Sequence, residues 1–80
     1  MEDKSPDPGI LDLKGLKCPL PVLKTRKAMR SLETGARLWV ETTDPMAAID
    51  MPNYCREDGH QLVESVEEDG GHRFLIERGG

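Results

Sequence analysis

The organisation of the chain is decided by one stretch near its beginning, Leu11-Asp12-Leu13-Lys14-Gly15-Leu16-Lys17-Cys18-Pro19-Leu20-Pro21. Its apolar start, together with the preceding Ile10, predicts a short strand from Ile10 to Leu13. Proline is tolerated in the first turn of a helix because its missing N–H would have had no partner there. Pro19 and Pro21 therefore predict the start of a helix, with Cys18 at or just before its N-terminus.

This first helix is predicted to run from Pro19 to Leu32, with a left-handed cap at Gly35. Its small and apolar side chains share one stripe at helical spacing. They are Val22, Thr25, Ala28, Met29 and Leu32. The next segment, Arg37 to Thr43, alternates between apolar and polar residues, which predicts a strand with Leu38, Val40 and Thr42 on one face.

A second helix is predicted after that strand. Asp44-Pro45 is typical of an N-cap followed by proline at the first helical position. Pro52 lies inside this helix, so we expect a kink or a restart at Met51-Pro52 and an end before Gly59. Two strands, Gln61–Glu67 and His72–Arg78, follow as a hairpin around Asp69-Gly70-Gly71.

The element order is strand, helix, strand, helix, strand, strand. Because crossovers between parallel strands are right-handed, both helices should cover one face of a four-stranded mixed sheet. We therefore expect one α/β domain, a two-layer βαβαββ sandwich over residues 10–80. The prolines and charges of residues 1–9 predict a disordered tail before it.

Composition narrows the class of protein. Eighty residues make one domain with a thin core, so a surface site is expected rather than an enclosed pocket. Two cysteines are too few for the disulfide framework of a small secreted domain. Neither a signal-peptide pattern nor an apolar run of roughly 20 residues is visible. We expect a cytoplasmic monomer with reduced thiols that does not associate with membranes.

The charges are unevenly distributed. Six basic residues and no acidic one lie between Lys14 and Arg30, around Cys18, although the net charge is -4. The basic segment is either a solvated helix face or a positive field that favours a thiolate and attracts an acidic partner. The overall acidity argues against tight nucleic-acid binding.

Cys18 is the candidate reactive residue. Nucleophilic chemistry needs a thiolate that is exposed and held in place. The helix N-terminus and the nearby lysines favour the negative charge, and Pro19 and Pro21 fix two backbone dihedrals. The alternative is a small apolar residue that packs under the helix.

A docking patch is predicted beside this cysteine. Leu20 and Leu23 fall away from the core stripe of the first helix. Isolated exposed leucines are ordinary, but two beside a reactive thiol, within positive charge, suit a partner protein. The basic residues of this patch are Lys17, Lys24, Lys27 and Arg30.

Four further residues have less specific interpretations. Cys55 shares a predicted stripe with Ala48 and Pro52 that would face the sheet, so we interpret it as a packing residue rather than a second reactive thiol. His60 is expected to pack or to cap a helix end. Trp39 should face away from the helices. A metal site is not expected, because Cys18, Cys55, His60 and His72 lack a recognised ligand spacing.

The chain resembles the TusA/SirA family of sulfur carriers. The likeness lies in the strand, glycine and Cys18-Pro19-Leu20-Pro21 of the opening stretch. It continues through Thr43-Asp44-Pro45, Asp50-Met51-Pro52, Gly59-His60-Gln61-Leu62 and Phe74-Leu75-Ile76. This resemblance implies a βαβαββ fold and a sulfurtransferase without a cofactor that carries a persulfide on Cys18. It also implies a donor, such as a cysteine desulfurase or a rhodanese-like protein, and a downstream acceptor that serves tRNA thiolation, cofactor synthesis or sulfur metabolism.

Two alternatives remain open at this point. The chain ends in Gly79-Gly80, and ubiquitin-like sulfur carriers use such an end as a thiocarboxylate, although their fold begins with a hairpin whereas this one ends with a hairpin. The second alternative is a non-catalytic regulatory or interaction module, in which Cys18 only shapes the turn. A thiol–disulfide oxidoreductase fits poorly because Cys18 has no partner cysteine two positions on.

Overall fold

The computed structural model describes residues 9–79 and contains the six predicted elements in the predicted order. They are β1 (Gly9–Asp12), α1 (Leu20–Arg30), β2 (Arg37–Thr42), α2 (Ala47–Asp58), β3 (Gln61–Glu68) and β4 (Gly71–Glu77). The predicted tail at residues 1–9 lies outside the described residues, except for Gly9, which belongs to β1. Neither helix in the described part is long and apolar enough to cross a membrane.

The four strands form one mixed sheet in the order β1-β2-β4-β3. Strand β1 is parallel to β2, whereas β4 is antiparallel to both of its neighbours. The predicted hairpin joins β3 and β4, and its turn contains Gly70 in the left-handed conformation. The expected two-layer α/β sandwich is confirmed.

The core lies between the sheet and the two helices. Strand β2 alternates as predicted, with Leu38, Val40 and Thr42 buried. Strand β4 and the two helices contribute most of the remaining buried side chains. These include Met29, Met51, Tyr54, Phe74 and Ile76. Because residues of both helices meet the same sheet face, no helix within residues 9–79 covers the opposite face of the sheet.

Helix α1 is shorter than predicted. It ends at Arg30, with Ser31 as its C-cap in a helical conformation. Gly35 is left-handed as expected, but it serves the turn into β2, where its N–H donates to the carbonyl of Arg78. The Arg78 guanidinium replaces the expected cap by donating from Nη1 to the carbonyl oxygens of Met29 and Leu32, at 2.9 and 2.7 Å.

Helix α2 is continuous from Ala47 to Asp58, so the restart that was one of the two expectations at Met51-Pro52 is wrong. Because Pro52 has no backbone N–H, the Ala48 carbonyl lacks its helical hydrogen bond. Ala48 is exposed, so water can donate to this carbonyl instead. The predicted stripe of Ala48, Pro52 and Cys55 is also wrong, because the buried face contains Ala47, Met51, Tyr54 and Cys55. The helix ends before Gly59, as predicted, and Gly59 forms a left-handed cap.

Candidate functional site

Cys18 lies on an exposed turn between β1 and α1. The turn is fastened to the loop after β2 at two points. The Gly15 N–H donates to Thr43 Oγ1 at 2.8 Å, and the Cys18 N–H donates to Asp44 Oδ2. The peptide bond between Cys18 and Pro19 is cis. The thiol is therefore accessible to a partner while its backbone is held in place.

Pro19 and Pro21 start helix α1, as the sequence predicts. Pro19 is the N-cap residue, and Pro21 is in the first turn of the helix, where its side chain is fully buried. The Leu20 N–H donates to the carbonyl of Lys17 at 2.9 Å. Pro21 thus anchors the turn to the core while the cysteine before it stays exposed.

Two carboxylates contact Cys18, and the sequence interpretation missed both. Asp44 precedes α2, where its Oδ1 accepts the Met46 N–H at 3.1 Å while Oδ2 accepts the Cys18 N–H. Asp50 lies in the first turn of α2, and its Oδ2 accepts a hydrogen bond from the Cys18 thiol, with 3.1 Å between sulfur and oxygen. The side chain hydrogen-bonded to the sulfur is therefore a carboxylate, that of Asp50.

These carboxylates raise the pKa of the Cys18 thiol, whereas the sequence predicted that it would be lowered. The hydrogen bond to Asp50 raises the pKa of Cys18, and partial desolvation and the negative charges of Asp50 and Asp44 raise it further. The expectation that nearby lysines bias Cys18 toward the thiolate is therefore wrong for the free protein. Lys14, one of those lysines, is instead bound to Glu41 at 3.2 Å.

The predicted patch residues lie on the exposed side of the structure. Leu20 and Leu23 are 42% and 48% exposed. The basic residues of the patch are exposed as well and form no ion pair with any other residue of the described range 9–79; they are Lys17, Lys24, Lys27 and Arg30. Leu20, Leu23, Lys24 and Lys27 share a helix face because they are three or four positions apart. We call the two leucines and these four basic residues the α1 face.

Cys55 differs from Cys18 in its surroundings. It is buried, with 2% of its surface exposed, among the core residues of α2. Burial raises its pKa to about 11, with a smaller effect from the charge of Asp58. The interpretation of Cys55 as a packing residue is confirmed.

His60 has a structural role at the end of α2. Its N–H donates to the carbonyl of Cys55 at 2.8 Å, and its Nδ1 accepts the N–H of Gly79 at 3.1 Å. A Cβ atom at Gly79 would overlap the carbonyl oxygen of Gly59. The chain is therefore packed against the domain at Gly79, and Gly80 lies outside the described residues. Within residues 9–79, the His, Cys, Asp and Glu side chains form no group of three or more that could hold a metal ion.

Trp39 faces away from the helices, as the strand alternation predicts. It lies between Ile10 of β1 and Leu75 of β4 in the sheet register. The Arg73 guanidinium covers its ring, at 4.6 Å from the ring centroid. This surface, the open sheet face, lies on the other side of the sheet from the helices.

The order of the strands in the sheet explains why Asp44 lies beside Cys18. Strands β1 and β2 are parallel neighbours, so the loops that follow them leave from the same edge of the sheet. The loop after β1 contains Cys18, and the loop after β2 contains Asp44. Once the sheet order is known, a residue just after β2 is expected to lie beside the cysteine.

Known proteins are similar to this chain over nearly all of its described residues. Residues 9–78 match the family described as Sulfurtransferase TusA. YrkI of Bacillus subtilis is 41% identical over 70 residues, which span 88% of this chain and 93% of that protein. The sulfur carrier protein TusA of Allochromatium vinosum is 40% identical over 68 residues, which span 85% and 90% of the two chains.

The fold has a counterpart among solved structures. The crystal structure of a SirA-like protein from Desulfitobacterium hafniense matches with a TM-score of 0.78 and 27% identity, covering 90% of this chain and 99% of that chain. The sequence matches include the strand, the turn and the helix that hold Cys18. The chain therefore belongs to the TusA family of sulfurtransferases.

Proposed function

We propose that this protein is a sulfur-relay protein that carries sulfur as a persulfide on Cys18. The observation that carries the proposal is an exposed thiol on a turn whose backbone is fixed by Thr43 and Asp44. Family membership supports the same role. Cys55 is a poor alternative because its sulfur is buried.

The transfer is an exchange between two sulfur centres. The sulfur of Cys18 attacks the terminal sulfur of the donor's persulfide, the donor's S–S bond breaks, and a new S–S bond forms on Cys18. The donor is left as a thiol. A second exchange in the same direction passes the terminal sulfur to the acceptor and returns Cys18 to its thiol form. Neither exchange changes the net oxidation state of the two proteins taken together, so no cofactor is required.

The α1 face is the proposed docking surface for both partners. Leu20 and Leu23 provide apolar contact beside the thiol, and the basic residues, which form no ion pair within residues 9–79, favour a partner with an acidic surface. The contact should be small, because a carrier must release each partner after transfer. The donor is proposed to be a cysteine desulfurase or a rhodanese-like protein, and the acceptor a protein of tRNA thiolation, cofactor synthesis or sulfur metabolism. We further propose that the relay takes place in the cytoplasm and that the carrier acts as a monomer.

Incubation with a cysteine desulfurase and cysteine tests the proposal. The intact mass should increase by one sulfur atom, and proteolysis should locate that atom on the peptide that contains Cys18. Cys18→Ser is the control for the site, and Cys55→Ala is the matched control for a general loss of thiols. Sulfur at Gly80 would instead support a thiocarboxylate carrier, and protein that takes up no sulfur would support a non-catalytic module.

A further inference from the structure

Asp50 is the group in direct contact with the reacting sulfur. Its Oδ2 lies 3.1 Å from Cys18 Sγ and accepts the thiol hydrogen bond. The two residues are 32 positions apart, so the contact results from the packing of α2 beside the turn. Asp50 is half-buried, in the first turn of that helix.

Asp44 has a different relation to the cysteine. Its two carboxylate oxygens accept backbone N–H groups, one from Cys18 and one from Met46. These bonds hold the turn against the start of α2. Of the two carboxylates, Asp50 is therefore the one whose oxygen receives the thiol's proton in a hydrogen bond, and Asp44 positions the backbone.

Sulfur transfer requires the Cys18 thiol to lose its proton. In the free protein, water can take that proton. In a docked complex, the α1 face and the partner surround the turn and exclude much of the water, so the proton needs an acceptor within the site. The charged groups that act on the thiol are Asp50 and Asp44, and only Asp50 has an oxygen directed at the sulfur.

We propose that Asp50 is a catalytic residue that takes the Cys18 proton when sulfur is loaded and returns it to the departing donor thiolate. This inference rests on the proposed persulfide function. It assigns Asp50 a role in proton transfer, in addition to its contact with the turn.

The step balances as an acid–base cycle. Asp50 carboxylate and Cys18 thiol become Asp50 carboxylic acid and Cys18 thiolate. The thiolate forms a bond to the terminal sulfur of the donor's protonated persulfide, and the donor's S–S bond breaks with its electron pair on the donor sulfur. Asp50 then protonates that donor thiolate. The result is a Cys18 persulfide, a donor thiol and a regenerated Asp50 carboxylate, with no external oxidant or reductant.

The proposal predicts opposite effects of Asp50→Asn on two reactions of the same thiol. Loss of the carboxylate removes a negative charge and a strong acceptor, so the free thiol ionises more easily. Alkylation of Cys18 by iodoacetamide at neutral pH, where water takes the proton, should accelerate about two- to fivefold. Single-turnover sulfur loading from a cysteine desulfurase should slow by at least about tenfold, because the proton acceptor is lost.

Two further variants complete the test. Glu57→Gln removes an exposed carboxylate from the last turn of the same helix and should leave both rates close to those of wild type. Asp50→Glu keeps a carboxylate and should recover part of the loading rate. Circular dichroism of each variant checks that the comparison is made on folded protein.

The outcomes separate this inference from the function on which it rests. Wild-type protein that takes up no sulfur on Cys18 overturns the proposed function. Wild-type loading with an Asp50→Asn variant that loads at the same rate or faster overturns the role of Asp50 alone, because the carboxylate would then only suppress the thiolate. Slower loading together with faster alkylation supports proton transfer through Asp50.

Discussion

The two cysteines of this chain both have a raised pKa, and the causes differ. The pKa of Cys55 is raised to about 11, mainly because this thiol is buried in the core beside the sheet. Cys18 is exposed, and its pKa is raised first by the hydrogen bond to Asp50. Burial in a core cannot be removed without unfolding, whereas a carboxylate that accepts a hydrogen bond loses its charge when it takes up a proton. A raised pKa therefore accompanies an inaccessible thiol in the core, at Cys55, and an exposed thiol held by a hydrogen bond on the turn, at Cys18.

This comparison also separates reactivity from ionisation. A reactive cysteine is commonly expected to have a lowered pKa. Here the hydrogen bond to Asp50 raises the pKa of the exposed cysteine and favours its thiol form, so in the proposed transfer its reactivity depends on access and on where its proton goes. A carrier that waits for a specific partner benefits from a sulfur that small electrophiles attack slowly.

Replacing each cysteine in turn should give the largest contrast. Cys18→Ser should abolish sulfur uptake from a cysteine desulfurase, because a hydroxyl cannot form the persulfide. Cys55→Ala should keep the uptake and lose about 1 kcal/mol of unfolding free energy, because a buried sulfur is deleted. Intact mass and urea unfolding measure the two effects. Sulfur uptake by Cys18→Ser would show that a residue other than Cys18 carries the sulfur.

Alkylation of the folded protein should differ by at least about a hundredfold between the two thiols, because Cys55 reacts only in the rare molecules that open. Peptide mapping after timed exposure to iodoacetamide measures both rates. The Cys18 rate should rise with pH and level off above the pH typical of a free cysteine, because the hydrogen bond to Asp50 and the charges of Asp50 and Asp44 raise its pKa. Comparable rates at neutral pH would contradict the assignment of Cys18 as the accessible thiol.

A charge reversal on the α1 face tests whether access to Cys18 is guided. Lys27→Glu with Arg30→Glu should slow sulfur loading from an acidic-surfaced donor about tenfold at low ionic strength, and the difference should shrink as salt is added. Loading time courses at several salt concentrations measure the effect.

The neutral pair Lys27→Gln with Arg30→Gln is the matched control and should fall between wild type and the reversed variant. Leu23→Ser should slow loading at every salt concentration, because its contribution is apolar. Wild-type rates for both surface variants would move the docking site away from α1.

The smallest contrast concerns the prolines near each cysteine. Pro21→Ala should fold and slow sulfur transfer about two- to threefold, because a buried anchor of the Cys18 turn loses its fixed backbone dihedral. Pro52→Ala, near Cys55, should leave transfer unchanged and preserve or increase stability, since alanine supplies the missing helical N–H. Transfer kinetics and thermal melts measure the pair. Equal transfer rates would mean that Pro21 serves only to start the helix.

The fold could be predicted from the sequence because its signals are local. Prolines mark the start of α1, glycines mark the turns, and alternation identifies β2. The prediction allowed a restart at Pro52 that does not occur, because burial of Met51 and Tyr54 against the core outweighs the cost of one missing hydrogen bond. It also missed the fastening of α1 by Arg78, whose guanidinium reaches carbonyls 46 and 49 positions away.

The site could be predicted only as far as its local part. Cys18 and its prolines are adjacent in sequence, so the exposed turn that holds them could be predicted. Asp44 and Asp50 lie 26 and 32 positions away, and no local pattern connects them to the cysteine. The prediction that nearby lysines favour the Cys18 thiolate was wrong because residues close in sequence need not be in contact. Lys14, for example, forms its ion pair with Glu41.

The cation over Trp39 makes the open sheet face optically distinguishable from the α1 face. Trp39 is the single tryptophan of the chain, so its fluorescence reports one place in the molecule. A partner that binds the open sheet face must displace or cover Arg73, which lies 4.6 Å from the indole, and the emission should change. A partner that binds α1, on the other side of the sheet, should leave the emission unaltered. Titration with a non-fluorescent donor therefore assigns the docking face without any substitution in the carrier.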